Sequence, residues 1–448
     1  MRDRAQLIDW VRDARQRTCE LVADLTDAQL LGPRLPTLNP LLWEIGHVAW
    51  FQEKWVLRRS GSYALIRPDA DALYDSAAVP HDRRWDLPLP GREETVRYLE
   101  EARDRVIERL LDAKPTQEDT YFTLLTVFHE DMHTEAFTYT RQTLGYAAPH
   151  VGLGLTDRQA QAGSPRGTAA NSSLAAEGNW SSEDVTIPGG LFELGATPDE
   201  PFVFDNEKWA YTIEIRPFAI AQAPVTQAEF AAFVDDGGYS QERFWSGQGW
   251  RWRQEADAEH PVYWRREAAG RWLRRDFDAW TLLEADRPVV HVNWYEADAF
   301  CRWAGRRLPA ESEWEAAAAA APASQGLSGG KRRYPWGAEF PTARHANLDW
   351  RAMGCVRVQA LPEGDSAFGC RQMIGNVWEW TASDFLPYPG FGADPYKEYS
   401  APWFGTHKVL RGGCWASRSR LLRNTWRNFY RPDRRDVWAG FRTCARQQ

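Results

Sequence analysis

The chain has 448 residues, 43% of them hydrophobic and 26% charged, which is enough to bury a sizeable core and excludes a wholly disordered chain. At about 150 residues per domain, the length predicts two or three domains. Its 54 basic residues stand against 62 acidic ones, a formal net charge of -8, which argues against a broad nucleic-acid surface.

The N-terminus, MRDRAQLIDWVRDARQRT, is charged throughout. It lacks the apolar stretch of roughly 7 to 15 residues that a signal peptide needs. No run of about 18 apolar residues occurs, so no membrane span is expected. The 6 cysteines are scattered without a CxxC pair, which argues against a disulfide scaffold or a four-cysteine zinc site. The expectation is a cytoplasmic protein with no obligate protein partner in evidence.

Residues 5–25 carry Leu7, Trp10, Val11, Ala14, Leu21 and Leu25 at helical spacing. Asn39-Pro40 opens a second helix, with Pro40 suited to the first turn, and that helix covers LLWEIGHVAWFQEKWVLRR. Residues 92–113 predict a third, with Glu93, Glu94 and Glu100 near its start. Residues 117–144 predict a fourth, ended by Gly145. Four such helices make a bundle over residues 1–150. Residues 151–182 are small and polar with no hydrophobic period. They read as a flexible linker, or else as an ordered belt over the next domain. From Val185 onward, short apolar strands such as VTIPGGLFELG and YTIEIRPFAIA alternate with Gly, Pro and Trp. Short helices are expected at 226–235, 295–305 and 310–320. Residues 183–448 therefore predict a mixed α+β domain. Most of the 24 Trp fall here, where large rings fill the gaps that irregular backbone leaves.

His129 and His133 lie inside the fourth helix, and positions i and i+4 share a face, so both can ligate one ion. With Glu130 they form HExxH, the zincin motif, in which the glutamate is a general base. The next histidine downstream is His150, past the helix end, and no zincin continuation follows. His47, midway along the second helix among Ile45, Val48 and Trp50, supplies a third imidazole. A satisfied core histidine is the alternative reading. Three neutral imidazoles leave coordination positions open and suit Zn, Fe or Cu. The motif itself does not choose among these metals.

Five ordered phrases mark the second half: Arg307-Leu-Pro-Ala-Glu-Ser-Glu-Trp-Glu315, Tyr334-Pro-Trp-Gly337, Gly375-Asn-Val-Trp-Glu-Trp380, Arg411-Gly-Gly-Cys-Trp415 and Ala439-Gly-Phe-Arg442. They resemble the formylglycine-generating, sulfatase-modifying-factor fold, a C-type-lectin-like α+β domain. Members of that group bind copper with two cysteines just beyond the RGG phrase. Here Cys414 follows Gly413 directly and residues 416–427 hold no Cys, so formylglycine chemistry is not expected.

The whole chain resembles the ergothioneine-type sulfoxide synthases, which place a DinB-like helical domain before this fold. Asn39-Pro-Leu-Leu-Trp-Glu-Ile-Gly-His-Val-Ala-Trp-Phe51 looks like the family's first iron-ligand helix, and HEDMH looks like its HExxH pair. The resemblance implies Fe(II) on His47, His129 and His133, with O2 as co-substrate. It also implies an oxidative bond from a chalcogen to C2 of the hercynine imidazole. The trimethylammonium group of hercynine calls for an aromatic cage. Trp415, Trp426, Phe429, Tyr430 and Trp438 are candidates for it, and core packing is the alternative reading of each.

Within the family, Asn428-Phe429-Tyr430 stands where enzymes using γ-glutamylcysteine have Asn-Trp-Asp. Met132 stands where they have Gln. Tyr388 is kept and is the catalytic candidate, while Phe385 falls at the position of the tyrosine credited with proton delivery. Residues 427–442 and 79–90 resemble the selenoneine synthases, which join hercynine to a selenosugar. Arg83 and Arg84 fall where the family has arginines near the donor carboxylate; a solvated basic turn is the alternative. The expectation is an Fe(II)- and O2-dependent oxidoreductase that forms a C–Se bond on hercynine and gives selenoneine by way of a selenoxide. An ergothioneine sulfoxide synthase using cysteine or γ-glutamylcysteine is the first alternative. An HExxH zinc metallopeptidase and a non-catalytic lectin-like binding module are the others.

Overall fold

The computed structural model describes residues 3–61, 63–112, 114–152 and 183–446. The chain divides into two compact units, Met1–Leu155 and Thr156–Gln448. Nearly all of the 151–182 stretch read as a linker lies outside the described residues.

In the first unit the long helices are α1 (Arg4–Val22), α2 (Leu41–Gln52), α3 (Arg92–Asp112) and α4 (Gln117–Leu144). The pairs α1–α4, α2–α3, α1–α3 and α2–α4 are in contact, which closes a bundle. The stripe Leu7, Trp10, Val11, Ala14 and Leu21 of α1 is buried, as its 3.6-residue spacing demands. Thr116 and Asp119 form a capping box at the start of α4, and Gly145 ends it in the left-handed region at φ 66°.

Two helix ends differ from the sequence expectation. The first helix stops at Val22, because Thr26 caps a separate short helix, Asp27–Leu31, through a box with Gln29. After Gln52 the second helix widens into a π turn, Glu53–Leu57, and then a 3-10 turn. The wide turn leaves the fully buried Glu53 accepting from the Tyr98 hydroxyl at 2.5 Å and from the Ile66 N–H at 3.1 Å.

In the second unit one sheet has the order β1–β4–β13–β8, from β1 (Asp184–Ile187), β4 (Phe218–Ala221), β13 (Cys444–Ala445) and β8 (Arg306–Arg307). Another has the order β11–β10–β9–β12, from β11 (Asn428–Tyr430), β10 (Lys408–Arg411), β9 (Trp378–Asp384) and β12 (Ala439–Gly440). A hairpin joins β2 (Gly190–Leu194) to β3 (Tyr211–Ile215). The expected helices are present at Gln227–Asp235, Trp294–Trp303 and Glu311–Ala319. The sequence reading missed a helix at Gly247–Glu255 and a three-stranded meander over β5 (Trp264–Arg266), β6 (Trp272–Asp276) and β7 (Ala279–Leu282). Residues of β6 are half-buried and those of β7 exposed, so no apolar alternation announces them.

Buried ion pairs join the sequence phrases of this unit. Arg411 meets Glu311 and Glu315, while Arg442 meets Glu379 at 2.6 and 2.7 Å. Glu379 also accepts from the Trp314 indole at 2.8 Å. Gly412, at φ +98°, leaves no room for a side chain: a Cβ there would stand 2.6 Å from the Met373 carbonyl oxygen. The 6 cysteines are free thiols. No described helix is long and apolar enough to cross a membrane.

Candidate active site

His47 comes from α2, and His129 and His133 from successive turns of α4. Their ring centroids are 5.1, 5.1 and 4.6 Å apart, and one nitrogen from each lies within 4.8 Å of the others. The His47 Nδ1 is 2.8 Å from the Tyr74 carbonyl oxygen, which can only accept. Nδ1 therefore carries the proton, and the lone pair of Nε2 faces inward, 3.3 Å from the His129 Nε2. Trp43 stacks on His47 at 4.9 Å, and Phe51 stacks on His129 at 3.6 Å. Burial, reinforced by the neighbouring His133, holds His47 and His129 well below the usual imidazole range. Neutral imidazoles with converging lone pairs are a metal-ligand set. They fit Fe(II), and this donor type also accepts zinc or copper.

Glu130 follows His129 in sequence but faces α1. It is 1% exposed, accepts from Arg15 at 2.8 and 3.2 Å and from the Thr18 hydroxyl at 2.8 Å. That commitment removes the general base that the metallopeptidase reading requires.

The two arginines separate. Arg83 is exposed. Arg84 is half-buried, donates to Asn39 Oδ1 at 2.6 Å and lies 3.9 Å over the Trp43 ring. Arg84 is thus tied to Asn39 and Trp43 within the helical unit, while Arg83 is free of such packing at the surface. Met132 is half-buried beside His133 on α4.

In the second unit, Asn428, Phe429 and Tyr430 form β11 and are all half-buried. The Asn428 side chain accepts from the Phe429 N–H at 2.8 Å. Phe429 stacks on Phe385 at 4.0 Å, and the Arg434 guanidinium lies 5.1 Å over Tyr430. Trp415 is wholly buried, with Trp438 at 4.8 Å and Phe277 at 6.4 Å. Tyr388 is 5% exposed; its hydroxyl is 3.3 Å from Glu311 Oε1, and Arg427 lies 4.1 Å over its ring. Burial pushes this phenol well above its ordinary range. Tyr388, the catalytic candidate of the sequence, thus has its hydroxyl beside Glu311 and its ring under the Arg427 guanidinium. Sequence reasoning also missed Glu44 at the imidazoles. The signal available was its place three residues before His47, on the same face of α2.

Residues 11–141 match the DinB superfamily, and residues 171–447 match the sulfatase-modifying factor enzyme 1-like domain. The protein is thus of the class that joins a DinB-type helical unit, here carrying three convergent imidazoles, to an α+β unit of the sulfatase-modifying-factor type. It is 39% identical to a hercynine oxygenase of Mycolicibacterium thermoresistibile, over 98% of this chain and 94% of that protein. It is 37% identical to the hercynine oxygenase of Mycobacterium tuberculosis, over 98% of each chain. A formylglycine-generating enzyme of Streptomyces coelicolor is 34% identical over 58% of this chain and 88% of its own length. The chain belongs to the family of the hercynine oxygenases, the ergothioneine-type group that its motifs predicted.

Proposed function

We propose that this protein is an Fe(II)- and O2-dependent oxidoreductase that acts on hercynine. It joins selenium from a selenosugar to C2 of the imidazole and gives selenoneine through a selenoxide. The observation that carries the reading is the set of three convergent imidazoles in a chain 39% identical to a hercynine oxygenase along 98% of its length. His47, His129 and His133 would hold the iron, which when bound supplies the redox chemistry that O2 requires. In this account residues 1–150 are the iron-binding helical domain, 151–182 a linker and 183–448 the domain of the sulfatase-modifying-factor type.

The chain's own residues orient and exclude water. The stacked Trp43 and Phe51 fix the ring planes of His47 and His129, and the apolar wall they form keeps solvent from those two ligands. Within the second unit, Asn428, Phe429 and Tyr430 on β11 are the substrate residues of this reading; within the first, they are Arg83, Arg84 and Met132. The selenium assignment rests on Tyr430, which stands where relatives using γ-glutamylcysteine carry an Asp for the donor's amine. A selenosugar has no amino-acid amine to pair. The strand itself is held from behind. Arg427 donates to Glu311 at 2.7 and 3.0 Å, to the Asn206 carbonyl at 2.7 Å and to the Leu386 carbonyl at 3.1 Å.

The test supplies purified protein with Fe(II), O2, hercynine and either 1-seleno-N-acetylglucosamine or γ-glutamylcysteine, and reads products by mass spectrometry. The reading expects a selenium-containing hercynine product from the selenosugar. Product from the thiol donor alone overturns the selenium assignment.

A further inference from the structure

His47 and His133 are anchored differently. A backbone carbonyl, that of Tyr74, fixes His47. His133 has its Nδ1 3.3 Å from Glu44 Oε1, and Glu44 is 3% exposed. The same oxygen accepts from Asn39 Nδ2 at 3.1 Å. The other end of that amide, Oδ1, accepts from Arg84 at 2.6 Å. Arg84 also donates to the Val79 carbonyl at 3.3 Å and lies over Trp43, the ring stacked on His47. An unbroken line of contacts therefore runs from the 79–84 segment, through Asn39 and Glu44, to the third imidazole.

We propose that Glu44, Asn39 and Arg84 are positioning residues that fix the ring orientation and tautomer of His133 and thereby set the metal affinity of the centre. The proposal rests on reading the three imidazoles as a metal centre. A carboxylate 3.3 Å from Nδ1 favours the tautomer with its proton there and leaves Nε2 as the ligating nitrogen, and a second-layer partner of this kind typically changes metal affinity by about 10- to 100-fold. Glu44 needs its own alignment, because a buried carboxylate is held in place only by its donors. Asn39 supplies one donor, and the planar fork of Arg84 fixes which way the Asn39 amide faces. Arg84 is thereby assigned to the metal side of the site.

Co(II) is the probe. Its binding to the full chain is titrated anaerobically, and its visible absorption spectrum reports ligand geometry independently of turnover. The proposal expects Glu44→Ala to weaken Co(II) by roughly 10- to 100-fold and to shift the spectrum. Asn39→Ala and Arg84→Lys should weaken it by smaller steps in the same direction. Glu44→Gln keeps the side-chain volume and serves if the alanine variant does not fold; it should still lower affinity severalfold. Wild-type protein that binds Co(II) while Glu44→Gln binds it equally well, with an identical spectrum, overturns the relay and leaves the metal centre standing. Wild-type protein that binds no Co(II) overturns both.

Discussion

Glu130 carries the sharpest consequence of a single residue's position. It sits inside HExxH, yet its carboxylate serves Arg15 and Thr18. Removing it strands a buried guanidinium, so Glu130→Ala should cost about 3–5 kcal/mol of stability, read by urea denaturation, while protein that remains folded keeps its metal. Unchanged stability with lost metal would mean that Glu130 faces the ion after all. His291 offers a second test. It lies at φ 61°, enclosed by Tyr263 and Trp438, and burial lowers its pKa from 6.5 to about 3. Between those values the unfolded chain binds a proton that the folded chain does not. Its contribution is therefore fully present above about pH 6.5 and is lost as pH falls towards 3, by at most about 1.4 kcal/mol per pH unit. Denaturation at pH 7 and pH 5 should show a smaller difference for His291→Gln than for wild type; equal differences would refute the assignment.

Among the elements, α2 does the most to shape the three-imidazole cluster. Gly46 lies under Tyr74, whose ring a Cβ would meet at 2.3 Å, and the Tyr74 carbonyl holds His47. Gly46→Ala should push Tyr74 away, cost about 1–3 kcal/mol and weaken metal binding through His47. Wild-type metal affinity in a folded Gly46→Ala protein would show that the carbonyl contact is dispensable. This helix was legible in sequence because Pro40 opens it and apolar residues fill it. Its π turn was not, because the turn depends on Glu53 finding Tyr98, 45 positions away. The β5–β7 meander escaped for the opposite reason: its residues face solvent on too many sides to show a period of two. His129 and His133 were legible because helical spacing alone puts them together. Glu44 was not, because its meaning depends on which ring faces it from α4.

For the molecule as a whole, the sequence phrases of the second unit proved to be its skeleton. Glu311, Glu315 and Glu379 pair with Arg411, Arg427 and Arg442, each acid and arginine coming from separate stretches of chain. Such phrases announce a fold and say little of a substrate. The α+β class, the helical unit and the family were therefore readable, whereas the donor, in the proposed reading, turns on one short strand, β11. The account as a whole depends on the three imidazoles acting as one centre. Anaerobic Fe(II) titration of wild type beside His47→Ala tests that most directly. Wild type should bind one Fe(II) per chain, and His47→Ala should lose that binding while remaining folded; a folded His47→Ala protein that binds Fe(II) with unchanged stoichiometry and affinity would contradict it.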